Sequence, residues 1–318
     1  MFALVTGAST GIGLRTALQL AIREDYAKVV FAVRSPAKTL RSIPLSLEPK
    51  VVVLYLDLTS LESVDQFKSN LASKGITRID RLVLNAGVND YTNPDSRKTV
   101  DGIDEIWQVN YLSHFYLACL LRPMIPSEGR IICLSSVMHW LGQPSRFTEL
   151  VRPSCERANR YYYRDSKLAM TILASELNRR FPGTISVAAN PGSVASDIFR
   201  KWFVGIFGYI MRFITNCLLL STENGAKTSI FACTDDSLKK FEYISPYGQV
   251  KGWGWIPSFL SDLYWVHVAR DSKCMIGECA TEVTDKEMGH MLWTLSVEAI
   301  GKTSSHRKEC VEAVVSIQ

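Results

Sequence analysis

Apolar runs of strand length recur along this chain at Ala3-Leu4-Val5, Lys28 to Val33, Val51 to Leu56, Ile79 to Leu84, Arg130 to Leu134 and Ile185 to Ala189, and between them the apolar residues return at helical spacing. No other feature restricts the fold as much. Strand and helix in alternation call for a parallel sheet with helices on both faces, an α/β doubly wound architecture. Strands covered on both sides are apolar without interruption, and Val51-Val-Val-Leu-Tyr-Leu56 is of that kind. One such sheet means one main domain, expected over residues 1–250. From about Phe241 the pattern turns to Trp, Pro and Gly, which predicts a last strand and then an aromatic-rich C-terminal extension, 251–318, packed on the same domain.

The composition of the 318 residues, 47% hydrophobic and 21% charged, is that of an ordinary globular protein. A net charge of +5 is mildly basic, but Lys and Arg are scattered instead of clustering beside aromatics, so nucleic acid is set aside as a partner. The eight cysteines form no CxxC pair and no grouping with histidine. No metal site is expected, and reduced thiols place the chain in the cytoplasm or on the cytosolic face of a membrane. Met1-Phe-Ala-Leu-Val-Thr-Gly7 enters an apolar strand directly, so no secretory leader is expected. Trp202 to Leu220 is the greasiest stretch, yet it holds Arg212 and Asn216; an arginine at mid-bilayer costs roughly 2.5–3.5 kcal/mol, and the stretch is read as non-spanning.

After the first strand comes Thr6-Gly7-Ala8-Ser9-Thr10-Gly11-Ile12-Gly13, then a helical stretch from Leu14 to Ile22. Glycines at a strand-to-helix turn let the backbone approach a pyrophosphate, and the helix N-terminus offers it free amides and a positive dipole end. A glycine-rich turn without a ligand is the plain alternative; the position at the first strand–helix junction favours the phosphate cradle. The second strand ends in Arg34, with no acid before Glu48. A carboxylate there would suit the 2′-hydroxyl of NAD, whereas a guanidinium suits a 2′-phosphate, so NADP(H) is the expected coenzyme, with a merely solvated surface arginine as the alternative.

Tyr163 alone of the three tyrosines 161–163 has a lysine four residues on, Lys167, which shares its helix face. A nearby ammonium favours phenolate and is expected to lower the tyrosine from its usual ~10 toward neutrality, as proton-transfer chemistry wants. Gly129-Arg-Ile-Ile-Cys-Leu134 reads as a buried strand ending in Ser135-Ser136, at the strand end where doubly wound sheets bind ligands. Asn110 falls inside an apolar helical stretch, where a buried amide must find partners; it either serves the site or only kinks the helix. His114, four residues on, is read as packing, and His139, His267, His290 and His306 have no ligand spacing.

Taken together, these residues resemble the short-chain dehydrogenase/reductase family, over Phe2 to about Gly248, which implies a Rossmann fold. Thr6-Gly7-xxx-Gly11-Ile12-Gly13 matches the family's coenzyme loop, with Ser9 and Thr10 inside it. Asp57-Leu58 matches its adenine-contacting pair, and Leu84-Asn85-Ala86-Gly87 its Asn-Asn-Ala-Gly, with Leu for the first Asn. Asn110, Ser136, Tyr163 and Lys167 fall where its catalytic tetrad falls; Pro191-Gly192-Ser-Val194-Ala-Ser196 resembles its nicotinamide-side motif, with Ser for Thr. The resemblance implies that Tyr163 transfers the proton, Ser136 holds the substrate oxygen, Lys167 also binds the nicotinamide ribose, and Asn110 supports a water between Lys167 and solvent. An insertion lengthens the stretch between Ser136 and Tyr163, so Ser135 competes for the serine role; Ser136 is favoured as the later of the pair.

Within the family, Asn110-Tyr-Leu-Ser-His-Phe115, the insertion and Leu292-Trp-Thr-Leu-Ser-Val-Glu298 look like the retinol-dehydrogenase, protochlorophyllide-reductase and ketosteroid-reductase branches. The implied substrate is a lipophilic ketone, aldehyde or alcohol of sterol, steroid or retinoid type. Residues 199–220 are rich in Phe, Trp, Ile and Leu and suit a lipophilic pocket, a core helix or homodimer contact, or a peripheral membrane patch. The alternatives are a light-dependent protochlorophyllide-type reductase and a non-catalytic NADP-binding regulatory protein, against which the intact Tyr163 and Lys167 argue.

Overall fold

Each apolar run forms a strand in the computed structural model, which describes residues 1–89, 98–151, 161–192, 194, 220–245 and 274–315. They are β1 (Phe2–Thr6), β2 (Lys28–Val33), β3 (Val51–Tyr55), β4 (Arg81–Leu84), β5 (Arg130–Leu134) and β6 (Ile185–Ala189). The last strand expected after Phe241 is β7 (Tyr243–Ser245); β8 (Met275–Gly277) was not anticipated. The sheet order is β3-β2-β1-β4-β5-β6-β7-β8, parallel except for the antiparallel β7–β8 pair. Central strands β1, β4 and β5 are almost wholly buried. The run in β3 proves to be an edge strand: its first three valines are only half-buried and Tyr55 is 49% exposed, because no strand among the described residues covers its outer side.

The principal helices are α1 (Gly11–Ile22), α2 (Leu61–Ser73), α3 (Ser113–Leu121), α4 (Tyr162–Arg180), α5 (Thr222–Thr234), α6 (Lys286–Gly301) and α7 (Ser305–Val315). The side chains of Ser60 and Ser221 accept from the amides of Ser63 and Asn224, which starts α2 and α5. Two apolar cores lie on the two faces of the sheet. One is built from α1, α5 and the strand residues facing them, the other from α2, α3, α4 and the C-terminal helices.

Residues 274–315 join the same body. Met275 to Gly277 add β8 to the sheet, and α6 lies on α4 with Arg180 over the Trp293 ring at 4.4 Å and Tyr111 bonded to Ser296 at 2.7 Å. Helix α7 is fastened to α2 by Arg307, 8% exposed, which reaches Asp65 and Glu62 at 2.6 Å each. Six cysteines in the described residues are free thiols, and no described helix is long and apolar enough to cross a membrane.

Candidate active site

From β1 the chain runs outward to β2 and β3 on one side and to β4, β5 and β6 on the other, so a crevice opens at the carboxyl ends of β1 and β4. The glycine turn lies there. Gly7 has φ +66°, and a β-carbon on it would stand 2.9 Å from Ala86; its amide donates to the Ala32 carbonyl at 2.9 Å. At Gly13 a β-carbon would press on the Asn85 amide and stand 2.5 Å from the Gly7 carbonyl oxygen. Gly11 differs: at φ +60° its missing side chain would meet nothing within 4 Å, and the Thr10 side chain does not cap α1. Backbone and helix N-terminus thus border an open hollow, with the Asn85 Oδ1 nearby as a buried acceptor lacking a partner. These residues fit a dinucleotide's phosphates.

Around the hollow, Ser9 and Ile12 are half-buried, and Arg34 is exposed directly beyond the end of β2. Asp57 takes the amide and hydroxyl of Thr59 at 2.9 and 2.8 Å, beside buried Leu58. Gly192 has φ +77° and donates to Asn190 Oδ1 at 3.0 Å, next to buried Pro191. Val194 bridges to Leu220 and packs where a β-carbon on Gly225 would be, against α5 near Ile12. Ser196, and with it most of 199–220 and the aromatic run 251–273, lies outside the described residues.

Asn110 sits in a π-helical turn, Gln108–Leu112, and is completely buried. A π turn shifts side chains around the helix by one place and recurs at functional sites. Here it aims the amide at the end of β4. Its Oδ1 accepts from the Val88 amide at 2.7 Å, and its Nδ2 donates to the Val88 carbonyl at 3.0 Å and to Ser166 Oγ at 3.1 Å. The peptide after Gly87 is thereby tied to α4, and a β-carbon on Gly87 would come within 3.6 Å of Lys167 Nζ.

Tyr163 and Lys167 occupy one face of α4, with the ammonium 5.6 Å from the centroid of the phenol ring. Ser136, just beyond the end of β5, faces the Tyr163 hydroxyl, on which it acts to lower the pKa, and accepts from Met138 N at 3.2 Å. Ser135 points elsewhere, into α4, where it bonds Thr171 Oγ1 at 2.6 Å and the Lys167 carbonyl at 3.2 Å. Of the pair, Ser136 is the serine at the tyrosine.

The electrostatics differ from the sequence expectation. Burial pushes the Tyr163 phenol up to about 12, the bond to Ser136 acting the other way. Burial also brings Lys167 down to about 8. The ammonium lies on the face of the ring and donates to the Leu134 carbonyl at 2.9 Å, and at the hydroxyl the loss of water prevails. At neutral pH the phenol therefore keeps its proton.

Three further residues bear on the site and were not singled out as functional from the sequence. His114 accepts from Thr6 Oγ1 at 2.9 Å and donates to the Asn110 carbonyl at 3.1 Å; Thr6 Oγ1 in turn accepts from the amides of Asn85 and Ala86 at 2.9 and 3.1 Å. His139 bonds the Ser136 carbonyl, and Asp165 binds Arg146 of the insertion. Each uses a partner at least 19 residues away or a carbonyl in a tight turn, so spacing carried no sign of them.

The profile of the short chain dehydrogenase family matches residues 1–148. An uncharacterised oxidoreductase of Schizosaccharomyces pombe is 32% identical over 254 residues, 75% of this chain and 73% of that protein. The WW domain-containing oxidoreductase of Drosophila melanogaster is 33% identical over 250 residues, 74% of this chain; the match spans 59% of its length, so this chain corresponds to about three-fifths of that relative. Retinol dehydrogenase 12 of Mus musculus is 29% identical over 94% of this chain and 85% of its own length. In solved structures, an uncharacterised protein from Mycobacterium paratuberculosis superposes with a TM-score of 0.67 at 25% identity, covering 94% of this chain and 92% of that one.

Proposed function

The chain belongs to the short-chain dehydrogenase/reductase family, and from that premise we propose that it is an NADP(H)-dependent oxidoreductase interconverting a carbonyl and an alcohol on a lipophilic substrate. The observation that carries the reading is Tyr163 set between Ser136, which its hydroxyl faces, and Lys167, 5.6 Å from the centre of its ring, at the strand ends beside the glycine hollow. When bound in that hollow, a nicotinamide supplies the hydride. Ser136 and Tyr163 hold the substrate oxygen between two hydroxyls, and Tyr163 gives its proton as negative charge develops there. Lys167 supplies positive charge beside the phenol, and Asn110 fixes the loop on which Lys167 rests. The residues at the hollow would hold the coenzyme: Gly7, Ser9, Thr10, Gly11, Ile12 and Gly13 its phosphates, Asp57 and Leu58 the adenine end, Asn85 to Gly87 the stretch between, and Pro191, Gly192 and Val194 the nicotinamide end, to which the sequence motif adds Ser196.

Exposed Arg34, directly beyond β2, supports the preference for NADP(H). Replacing Arg34 with Asp puts a carboxylate where the 2′-phosphate would lie and is expected to raise KM for NADPH more than tenfold, on the order of the 1–3 kcal/mol carried by a charge-assisted contact. An unchanged NADPH/NADH ratio of kcat/KM would refute the assignment. A lipophilic substrate is supported by the apolar composition of 199–220 and by the likeness to a protein named for retinol. The decisive experiment is a screen of retinoid, steroid and sterol carbonyls followed by NADPH absorbance; reduction of small polar ketones alone would refute the substrate class.

The reductive pH profile follows from the two shifted groups. Lys167 is an ammonium below about 8 and neutral above, whereas Tyr163 keeps its proton to about 12. Reductive kcat is therefore expected to be level near neutrality and to fall as pH rises through about 8. A profile flat from pH 7 to 10 would remove Lys167's charge from the mechanism.

A further inference from the structure

His139 follows Ser136 by three residues, in the short 3-10 turn Val137–Leu141 that Ser136 caps. The imidazole is completely buried and both of its nitrogens are engaged. Nδ1 lies 2.7 Å from the Ser136 carbonyl oxygen, and Nε2 lies 3.2 Å from the backbone nitrogen of Ala280, which is 141 residues away in the chain. A carbonyl can only accept and a backbone amide can only donate, so the ring proton must be on Nδ1 with Nε2 accepting: a single neutral tautomer satisfies both. The His139 amide donates to the same Ser136 carbonyl at 3.0 Å. Rings of Trp140 and Tyr243 stand 5.2 and 4.8 Å away and hold the imidazole laterally.

We propose that His139 is a positioning residue that clamps the backbone of Ser136 to the C-terminal segment at Ala280, and so sets where the Ser136 hydroxyl meets Tyr163. The proposal rests on the function assigned to Ser136 above. Ser136 ends β5 in an extended conformation, φ −162° and ψ 157°, and rotation of the peptide that follows would swing the carbonyl and displace the side chain. Two donors from His139 on that carbonyl oppose the rotation. The far end of the clamp is itself anchored: Ala280 follows β8, which pairs with β7, and starts the turn Thr281–Val283 that leads to α6. A displacement of about 1 Å at a reacting group is enough to cost on the order of a hundredfold in rate, which is why support of this kind matters. The C-terminal segment thereby takes part in the site without touching substrate.

Ala280 has φ −56° and ψ 144°, a conformation that proline adopts, so Ala280→Pro deletes the donor to Nε2 without straining its own backbone, and its ring carbon, set where the amide hydrogen points, pushes the imidazole off the clamp. In the full chain, with the carbonyl turned over fastest in the screen, Ala280→Pro is expected to lower kcat several-fold and His139→Phe about tenfold or more, both with KM for NADPH unchanged. His139→Asn, which can still donate to the Ser136 carbonyl, is expected to recover much of the loss. Equal losses of kcat and of NADPH affinity, or no rescue by Asn, would overturn the proposal. Nitrogen-15 spectra of the histidine rings at pH 7.5 test the clamp without turnover. A neutral Nδ1–H ring for His139, disturbed by Ala280→Pro, supports it; a ring protonated on Nε2 overturns it even in an active enzyme. A chain with the supporting spectrum that reduces no carbonyl would leave the clamp standing and sink the reductase reading.

Discussion

Replacing Tyr163 with Phe is expected to lower the turnover of carbonyl reduction by about 10²–10⁴-fold, the usual worth of a positioned proton donor. The substitution removes one oxygen and little else. The ring that faces Lys167 at 5.6 Å remains, so the packing of the ammonium and its bond to the Leu134 carbonyl are kept. Ser136, which faces the phenol, is only half-buried, so water can take the place of the lost hydroxyl. Because burial holds the phenol near 12, the wild-type residue is fully protonated at neutral pH and its loss cannot be offset by raising the proton concentration moderately. NADPH affinity, measured by quenching of protein fluorescence, should be unchanged. Turnover within threefold of wild type in a single-turnover assay would mean that the proton comes from elsewhere, a threefold change being less than 1 kcal/mol of barrier.

Asp165→Ala is expected to destabilise the fold by about 3 kcal/mol, at the lower end of what breaking a buried ion pair costs. Asp165 sits on α4 between Tyr163 and Lys167 and is completely buried. Its carboxylate accepts from Arg146 Nε and Nη2 at 2.6 and 2.5 Å and from the Gln143 amide at 2.8 Å. Removing it strands an amide and a guanidinium whose side chain is 18% exposed; that partial access to water sets the lower figure. Arg146 also stacks on Tyr161 at 5.1 Å, so without Asp165 the insertion would keep that contact but lose its ion pair to α4. Urea denaturation of the variant checks this, and a loss below 1 kcal/mol would show that the insertion is held by its apolar contacts alone.

Strands β1 to β6 were legible because each is a continuous apolar run bounded by turn residues, the pattern that burial on two faces demands and that the edge strand β3 carries as well. Strand β8 was not legible: three residues, Met275–Gly277, paired antiparallel to β7 have neither the length nor the periodicity to signal a strand. The glycine turn and the Tyr163–Lys167 spacing could be read because they are local, one turn of chain or of helix. The sign of the Tyr163 shift could not, since spacing reports that a cation is near and not that it faces the ring while the hydroxyl is desolvated.

What this sequence by itself determined is the succession of elements and the identity of the chemical groups at their ends, because hydrophobic period and turn chemistry act over a few residues. Only the tertiary structure turned Ser135 into α4 and left Ser136 facing Tyr163, turned the Asn110 amide toward Val88 through a π turn, and brought Ala280 to His139. Those outcomes depend on hydrogen bonds between groups far apart in the chain, whose directions exist only once the sheet and its helices have packed.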